Sequence, residues 1–317
     1  MPTRDEVLPV GPPVALEYQI GRMRDIEMVR RALDHGEDVV LVDVRRTGKT
    51  TVGMCALELS IAEGNLVFSV DLAEGAPSSL DVAERLAVQL TGHREGWAAV
   101  AHGTRAGLAW LHERGRGALA TLDPELRAPV EAVLGVLRAA RPDGASQIAA
   151  TIDEIEALAR SRGCSAVVFL DEIQEIARWE DSDQAQGELR ARLRRPGGHL
   201  RFLFAGSQPS LVETLFRRDG ALDFQGLEQP LAPISSDDWH DGLRRAFDLL
   251  GCEIEDRAID EILEASGGHP MRTMLAARET HALAEVHRTP PAADYGIAVV
   301  AVDRARRTHL WQADELE

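Results

Sequence analysis

The chain has 317 residues, with 35 Lys+Arg against 52 Asp+Glu and a formal net charge of −17. Hydrophobic residues make up 44% and aromatics only 4%, an ordinary globular balance whose core must come from Leu, Ile, Val and Ala. Apolar runs reach about six residues, far short of the ~20 that span a bilayer, and the start is polar and proline-rich, so secreted, membrane, collagen-like and disordered classes are excluded.

The acidic balance argues against sequence-independent binding to nucleic acid or anionic membrane over a broad surface. Cys55, Cys164 and Cys252 are scattered, odd in number and without metal-type spacing, so no disulfide framework is expected and a reducing cytoplasm is the natural setting. Of the 35 basic residues, 34 are Arg; the one Lys is Lys49.

In chain order, Pro2, Pro9, Pro12 and Pro13 predict an extended arm over residues 1–19. Ile26, Val29 and Leu33 share one face of a helix predicted over Arg24–His35, with Gly36 as its stop. Val39–Val44 reads as a buried strand, Val52–Ala62 as an apolar helix and Leu66–Val70 as a second strand. Residues 78–162 carry helical patterns only, the clearest over Gln147–Arg160 with Ser146 as its N-cap. Ala166–Leu170, Leu200–Ala205 and Leu227–Leu231 are further strands.

Beyond Ser235, helices are predicted over Asp237–Leu250, Asp256–Ala265 and Pro270–Val286, the last opening on a proline suited to a first turn. Thr289-Pro290-Pro291 is a linker. Residues 295–317 fit either a strand through Val299, Val300 and Val302 or an Arg-rich helix. Arg190–Arg195 and Arg304–Arg307 read as solvated helix faces. Trp97, Trp110, Trp179, Trp239 and Trp311 read as core or interface anchors, without the basic interleaving of single-strand binders.

The strongest site is Asp43-Val44-Arg45-Arg46-Thr47-Gly48-Lys49-Thr50 between a strand and a helix, the phosphate-binding loop arrangement. Gly48 lets the backbone approach phosphates, and successive N–H groups with the helix N-terminus face the anion. Lys49 reaches the β and γ oxygens, and Thr50 ligates Mg²⁺. Asp43 stands where the loop pattern wants glycine. Its carboxylate beside a polyphosphate weakens binding unless Arg45 or Arg46 offsets it.

The second site is Val167-Val168-Phe169-Leu170-Asp171-Glu172, a buried strand that delivers two carboxylates at its carboxyl end. Asp171 is placed to hold Mg²⁺ through water and Glu172 to polarise an attacking water. Ser207, after the next strand, offers a hydroxyl to the γ-phosphate or the water; alone, Gly206-Ser207 reads as a turn.

These motifs occur in a fixed order: Ile20-Gly21-Arg22, then Arg45–Thr50, Phe169–Gln174, Phe204–Ser207 and Gly267-Gly268-His269-Pro270. In that order the chain resembles, over about residues 18–288, the archaeal/bacterial ATPase family of the AAA+ class, close to the STAND signalling ATPases. The resemblance implies that Ile20, Gly21 and Arg22 lie beside adenine and ribose, with Arg45, Arg46, Thr47, Gly48, Lys49, Thr50 and Thr51 around the phosphates. It makes Asp171 and Glu172 the Walker B pair and Ser207 the first sensor. Gly268 and Pro270 resemble the lid's Gly-x-Pro motif, and Arg272 stands as a second-sensor candidate. Residues 219–243 do not supply the usual finger arginine before the fifth strand, which leaves Arg217 and Arg218 as candidates.

The expected fold is α/β: a P-loop AAA+ type parallel sheet flanked by helices, with a helical insertion and a C-terminal helical lid. The expected division is an arm at 1–19, a core at 20–233 with its insertion at 78–162, a lid at 234–288, and an extension at 289–317 that is short against the family's winged helix. The expected activity is slow or partner-dependent hydrolysis of Mg·ATP driving a conformational switch or assembly change. The alternative is a scaffold or adaptor that binds ATP or ADP with little turnover. The expected partners are ATP/ADP and a protein or a second copy of the chain, with no membrane and no direct nucleic acid.

Overall fold

The structure, a computed structural model, describes residues 1–73, 78–95, 131, 135, 143–193, 195, 198–287 and 290–315. Its contacts divide into two compact units. The first comprises Met1–Asp25, Arg46–Val52 and Leu231–Glu317, the second Ile26–Arg45 and Gly53–Pro230.

The second unit holds the sheet. Strands β1 (Val39–Val42), β2 (Leu66–Asp71), β3 (Ala166–Asp171), β4 (Leu200–Gly206) and β5 (Leu227–Pro230) run in the order β2-β3-β4-β1-β5. Every pair is parallel. A parallel sheet is covered on both faces, which is why its strands read as unbroken apolar runs; β3 is buried at every position. Phe68, Val168, Phe202 and Phe204 of the strands meet Val82 and Leu86 of α4 (Ser79–Glu95) and Ile148 and Ile152 of α5 (Gly144–Arg162) in one core. Two further helices, α6 (Ser182–Leu193) and α7 (Pro209–Phe216), complete the flanks.

Two expectations change here. The N-cap of α5 is Asp143, whose carboxylate accepts the Ser146 N–H at 2.8 Å, so Ser146 is the capped residue and not the cap. Arg192 is no solvated arginine. It is 7% exposed on α6 and bonds the Ala149 carbonyl of α5, Glu188 and Asp153, because α6 packs against α5 and turns that side chain inward. Most of the predicted insertion between 96 and 142, with Trp97 and Trp110, lies outside the described residues.

The first unit is helical. Its elements are α1 (Arg4–Val7), α8 (Ser236–Leu249), α9 (Asp256–Ser266), α10 (Pro270–His287), α11 (Tyr295–Arg306) and α12 (His309–Glu315), with a small parallel pair β6 (Glu253–Ile254) and β7 (Ala292–Ala293). Trp239, Phe247, Ile259, Ile262, Val302 and Trp311 share its core. The arm is not wholly extended. Pro2 and Pro9 lie outside α1, Thr3 and Glu6 cap it reciprocally, and Val7 and Leu8 are buried in the core. Residues 295–306 resolve as helix, capped by Asp294, whose side chain accepts the Ile297 N–H.

The helix α2 (Met23–Asp34) buries Ile26, Val29 and Leu33 as predicted. Among the described residues, no helix is long and apolar enough to cross a membrane.

Candidate functional site

In the second unit, register brings three strand ends to one edge. Val42 pairs with Gly206, and Leu170 with Phe204. Asp43–Arg45, Asp171-Glu172 and Gly206-Ser207 therefore leave the sheet at its carboxyl edge, where open parallel sheets collect ligands. Asp43 Oδ1 accepts the Val44 N–H at 2.7 Å, a local turn bond that Asp forms readily.

Asp171 is 3% exposed, and its Oδ1 accepts the Glu172 N–H at 2.9 Å. Glu172 sits at φ 53, ψ 45, left-handed backbone that is uncommon for a residue with a Cβ. Such outliers concentrate at functional sites. Its Oε2 accepts the Ser207 hydroxyl at 2.5 Å and also the Gln174 amide. Gln174 donates to Ser207 Oγ as well, at 3.2 Å, and Arg45 Nε reaches the same oxygen at 3.4 Å. The buried Gln174 Oε1 has no hydrogen-bond partner among the described residues. A Cβ on Gly206 would stand 2.9 Å from that oxygen and 2.3 Å from Val212 Cγ2, so glycine alone fits there.

In the first unit, Gly48-Lys49-Thr50 turns the chain into α3 (Lys49–Ala62), which begins three residues before the predicted start at Val52. Lys49, Thr50 and Thr51 are thus the first turn, whose N–H groups have no intrahelical acceptor. Arg46 at φ 64 and Gly48 at φ 100 bend the loop before it. Only Arg22 Nε, 3.8 Å away, comes within 4 Å of a Cβ placed on Gly48.

Next to this loop, within the same unit, is an apolar slot with a cavity volume of about 50 Å³. Val14, Tyr18, Ile20, Ile234, Trp239 and Met274 wall it, and Gly48 and Thr51 belong to its lining. The Val14 N–H donates to Thr51 Oγ1 at 3.3 Å, which ties the arm to the start of α3. Gly21 is at φ 66, and a Cβ there would stand 2.4 Å from Ile234 Cγ2. Trp239 Nε1 donates to the Gly268 carbonyl at 3.1 Å. Apolar walls of this kind favour an apolar or aromatic group.

Several expected residues gather here. Ile20, Arg22, Thr47, Gly48, Thr51 and Pro270 all line the slot. The Arg22 guanidinium is engaged by protein: Asp25 and the Thr47 and Ala232 carbonyls. Arg272 is not in the lining; its guanidinium lies 5.9 Å over the Trp311 ring. Arg46 donates to the Leu310 carbonyl at 3.4 Å.

In the second unit, Arg217 and Arg218 are exposed just past the end of α7.

Sequence reasoning gave no role to Val14, Tyr18, Ile234, Met274 or Gln174, and read Trp239 as a core or interface anchor, which its burial bears out. An uncharged polar residue beside Glu175, between buried Ile173 and Ile176, was the one local signal for Gln174. Among the described residues, no group of three or more His, Cys, Asp and Glu could hold a metal. Mg²⁺ held by one hydroxyl, one carboxylate and phosphate oxygens needs no such group; Thr50 and Asp171 are donors of that kind.

No protein-family model and no curated protein matches the chain. Solved structures do. A Walker-type ATPase of Pyrococcus abyssi superposes with a TM-score of 0.65 at 15% identity, over 98% of this chain and 79% of that one. The ORC1 protein of Aeropyrum pernix, in complex with DNA, gives 0.60 at 15% identity, over 96% and 70%. The RuvB Holliday junction branch migration motor of Thermotoga maritima gives 0.50 at 15% identity, over 92% and 72%. At these identities the likeness is one of fold: the chain has the α/β fold of AAA+ type P-loop ATPases, a five-stranded parallel sheet flanked by helices.

Proposed function

We propose that this chain binds Mg·ATP and hydrolyses it to ADP and phosphate, and that loss of the γ-phosphate drives a conformational or assembly change involving a protein partner or a second copy. The observation that carries this reading is the carboxyl edge of the sheet. The strand leading into Gly48-Lys49-Thr50 pairs with the strand ending at Ser207, which pairs with the strand ending at Asp171-Glu172.

In the first unit, the apolar slot takes the base, the first-turn N–H groups take phosphate oxygens, and Lys49 and Thr50 take phosphate and Mg²⁺. In the second unit, Asp171 supplies a buried carboxylate for the metal. Glu172 accepts a proton from water, oriented by Ser207 and Gln174. Mg²⁺, when bound, neutralises phosphate charge. Exposed Arg217 and Arg218 suit a finger acting on a neighbouring copy, and Arg272 and Pro270 belong to the proposed lid. The three free cysteines fit a reducing cytoplasm.

DNA binding by ORC1 and branch migration by RuvB are properties of those proteins, and the charge of −17 gives no support for carrying them over.

Two features favour the scaffold reading: the Glu172 carboxylate already accepts two protein donors, and Asp43 stands at the loop's first glycine position. Two measurements separate the readings. Melting with ADP, with ATP and with neither tests binding, since ligand at 1,000 times its dissociation constant adds about 4 kcal/mol. Steady-state phosphate release tests turnover. No thermal shift with either nucleotide overturns both readings; a shift without phosphate release overturns hydrolysis alone.

A further inference from the structure

We infer that Arg22 is a positioning residue for the phosphate loop: it holds the Thr47–Gly48 peptide in the anion-binding orientation. This rests on the ATP-site reading above.

Arg22 is 5% exposed. Its Nη1 donates to Asp25 Oδ2 at 3.0 Å and to the Ala232 carbonyl at 2.6 Å, and its Nη2 donates to the Thr47 carbonyl at 2.8 Å. Its own N–H donates to Gln19 Oε1 at 2.8 Å, which fixes the backbone from which the side chain reaches. One planar guanidinium thus joins the Ile20-Gly21-Arg22 turn, the phosphate loop and the start of the chain that leads into α8.

A peptide unit is planar and trans, so its C=O and N–H point in opposite directions. With the Thr47 oxygen held on Arg22, the Gly48 N–H is directed to the other side of the loop, away from the guanidinium. Gly48 stands at φ 100, where glycine has little preference of its own; an external clamp is what selects one orientation. Asp25 compensates the buried charge and the two carbonyls accept from the terminal nitrogens, while Nε is buried without an acceptor among the described residues. A lysine ammonium lacks the rigid fork that spans two carbonyls at fixed angles.

The test uses the full chain with Arg22→Lys, Arg22→Gln and Asp25→Asn. Hydrogen exchange without nucleotide reads residues 46–52. Calorimetry reads adenosine, ADP and ATP. Exchange over 46–52 is expected to accelerate while that of β3 is unchanged. ADP and ATP affinity is expected to fall about 10–100-fold, the range for a lost charge-assisted hydrogen bond, with adenosine unaffected and Asp25→Asn weaker in the same direction.

Equal losses for adenosine and ADP would mean that Arg22 serves the base slot and would overturn the clamp. So would wild-type exchange with wild-type ADP affinity. If the parent protein binds none of the three ligands, the ATP reading fails, and the exchange measurement alone still decides whether Arg22 holds the loop. If Arg22→Gln does not fold, Arg22→Lys and Asp25→Asn give the answer.

Discussion

The hydroxyl of Ser207 lies 2.5 Å from Oε2 of Glu172 and donates to it. These residues end neighbouring parallel strands, 35 positions apart in the chain, and Glu172 adopts left-handed backbone at this junction. The bond makes Ser207 a holder of the carboxylate as well as a candidate phosphate contact.

Glu172→Gln should retain ATP and release phosphate more slowly, by about 10²–10⁴-fold if Glu172 is the general base. Ser207→Ala should leave ADP affinity near the parent value while lowering turnover, because the carboxylate loses one of its two donors. Parent-rate phosphate release by Glu172→Gln would remove Glu172 from the mechanism.

Lys49→Arg is the informative exchange at the phosphate loop, since all other basic residues are arginine already. Charge is kept, yet a planar fork replaces a compact ammonium on a 5%-exposed side chain. ATP affinity should fall at least about tenfold, equivalent to ~1.4 kcal/mol. An unchanged titration would place the phosphates elsewhere.

Gly21→Ala should destabilise the protein by about 1–3 kcal/mol, from a left-handed φ together with overpacking. The added Cβ would stand 2.4 Å from Ile234 Cγ2, in the wall of the slot. Chemical denaturation measures the loss. Adenosine binding should weaken in parallel; intact stability would show that Ile234 yields freely.

Asp38 provides a pH test of the sheet. Its carboxylate accepts the Phe202 N–H at 2.7 Å, at the amino end of β4. Burial pushes its pKa up to about 6, against the opposing pull of that hydrogen bond and of the Arg201 charge. The folded state therefore holds the proton more tightly than the unfolded chain. The resulting stability is fully present below the usual value of 3.8 and is lost as pH rises through about 6, on the order of 3 kcal/mol in all. Asp38→Asn keeps the acceptor and never ionises. It should melt a few degrees above the parent at pH 7–8 and with it near pH 4. The same difference at both pH values would show that Asp38 does not titrate in this range.

Much of the fold could be read locally. Val39–Val42, Ala166–Asp171 and Leu200–Gly206 are apolar runs with β-branched or aromatic content, so their conformation and burial follow from their own residues. The early start of α3 at Lys49 was missed because Thr and Lys are ordinary loop residues until an N-terminal turn recruits them. Helix α1 was missed because prolines flanking a short helix look the same as prolines within an extended arm; the Thr3–Glu6 capping pair was the available signal.

The sequence by itself determined the strand-to-helix turn at Gly48-Lys49-Thr50, the strand-end carboxylates and the five strands, because each is set by spacing and periodicity within a few residues. Only the tertiary structure decided the strand order, the burial of Arg192 on α6, the Ser207–Gln174–Glu172 network and the turning of Arg22 onto Thr47 and Ala232. Partners for a polar side chain are chosen by which distant segments pack beside it, up to 210 positions away for Arg22. Periodicity contains no term for that choice. A buried guanidinium and a solvated one look identical in a row of letters; what separates them is whether packing removes water and supplies carbonyls and carboxylates in its place.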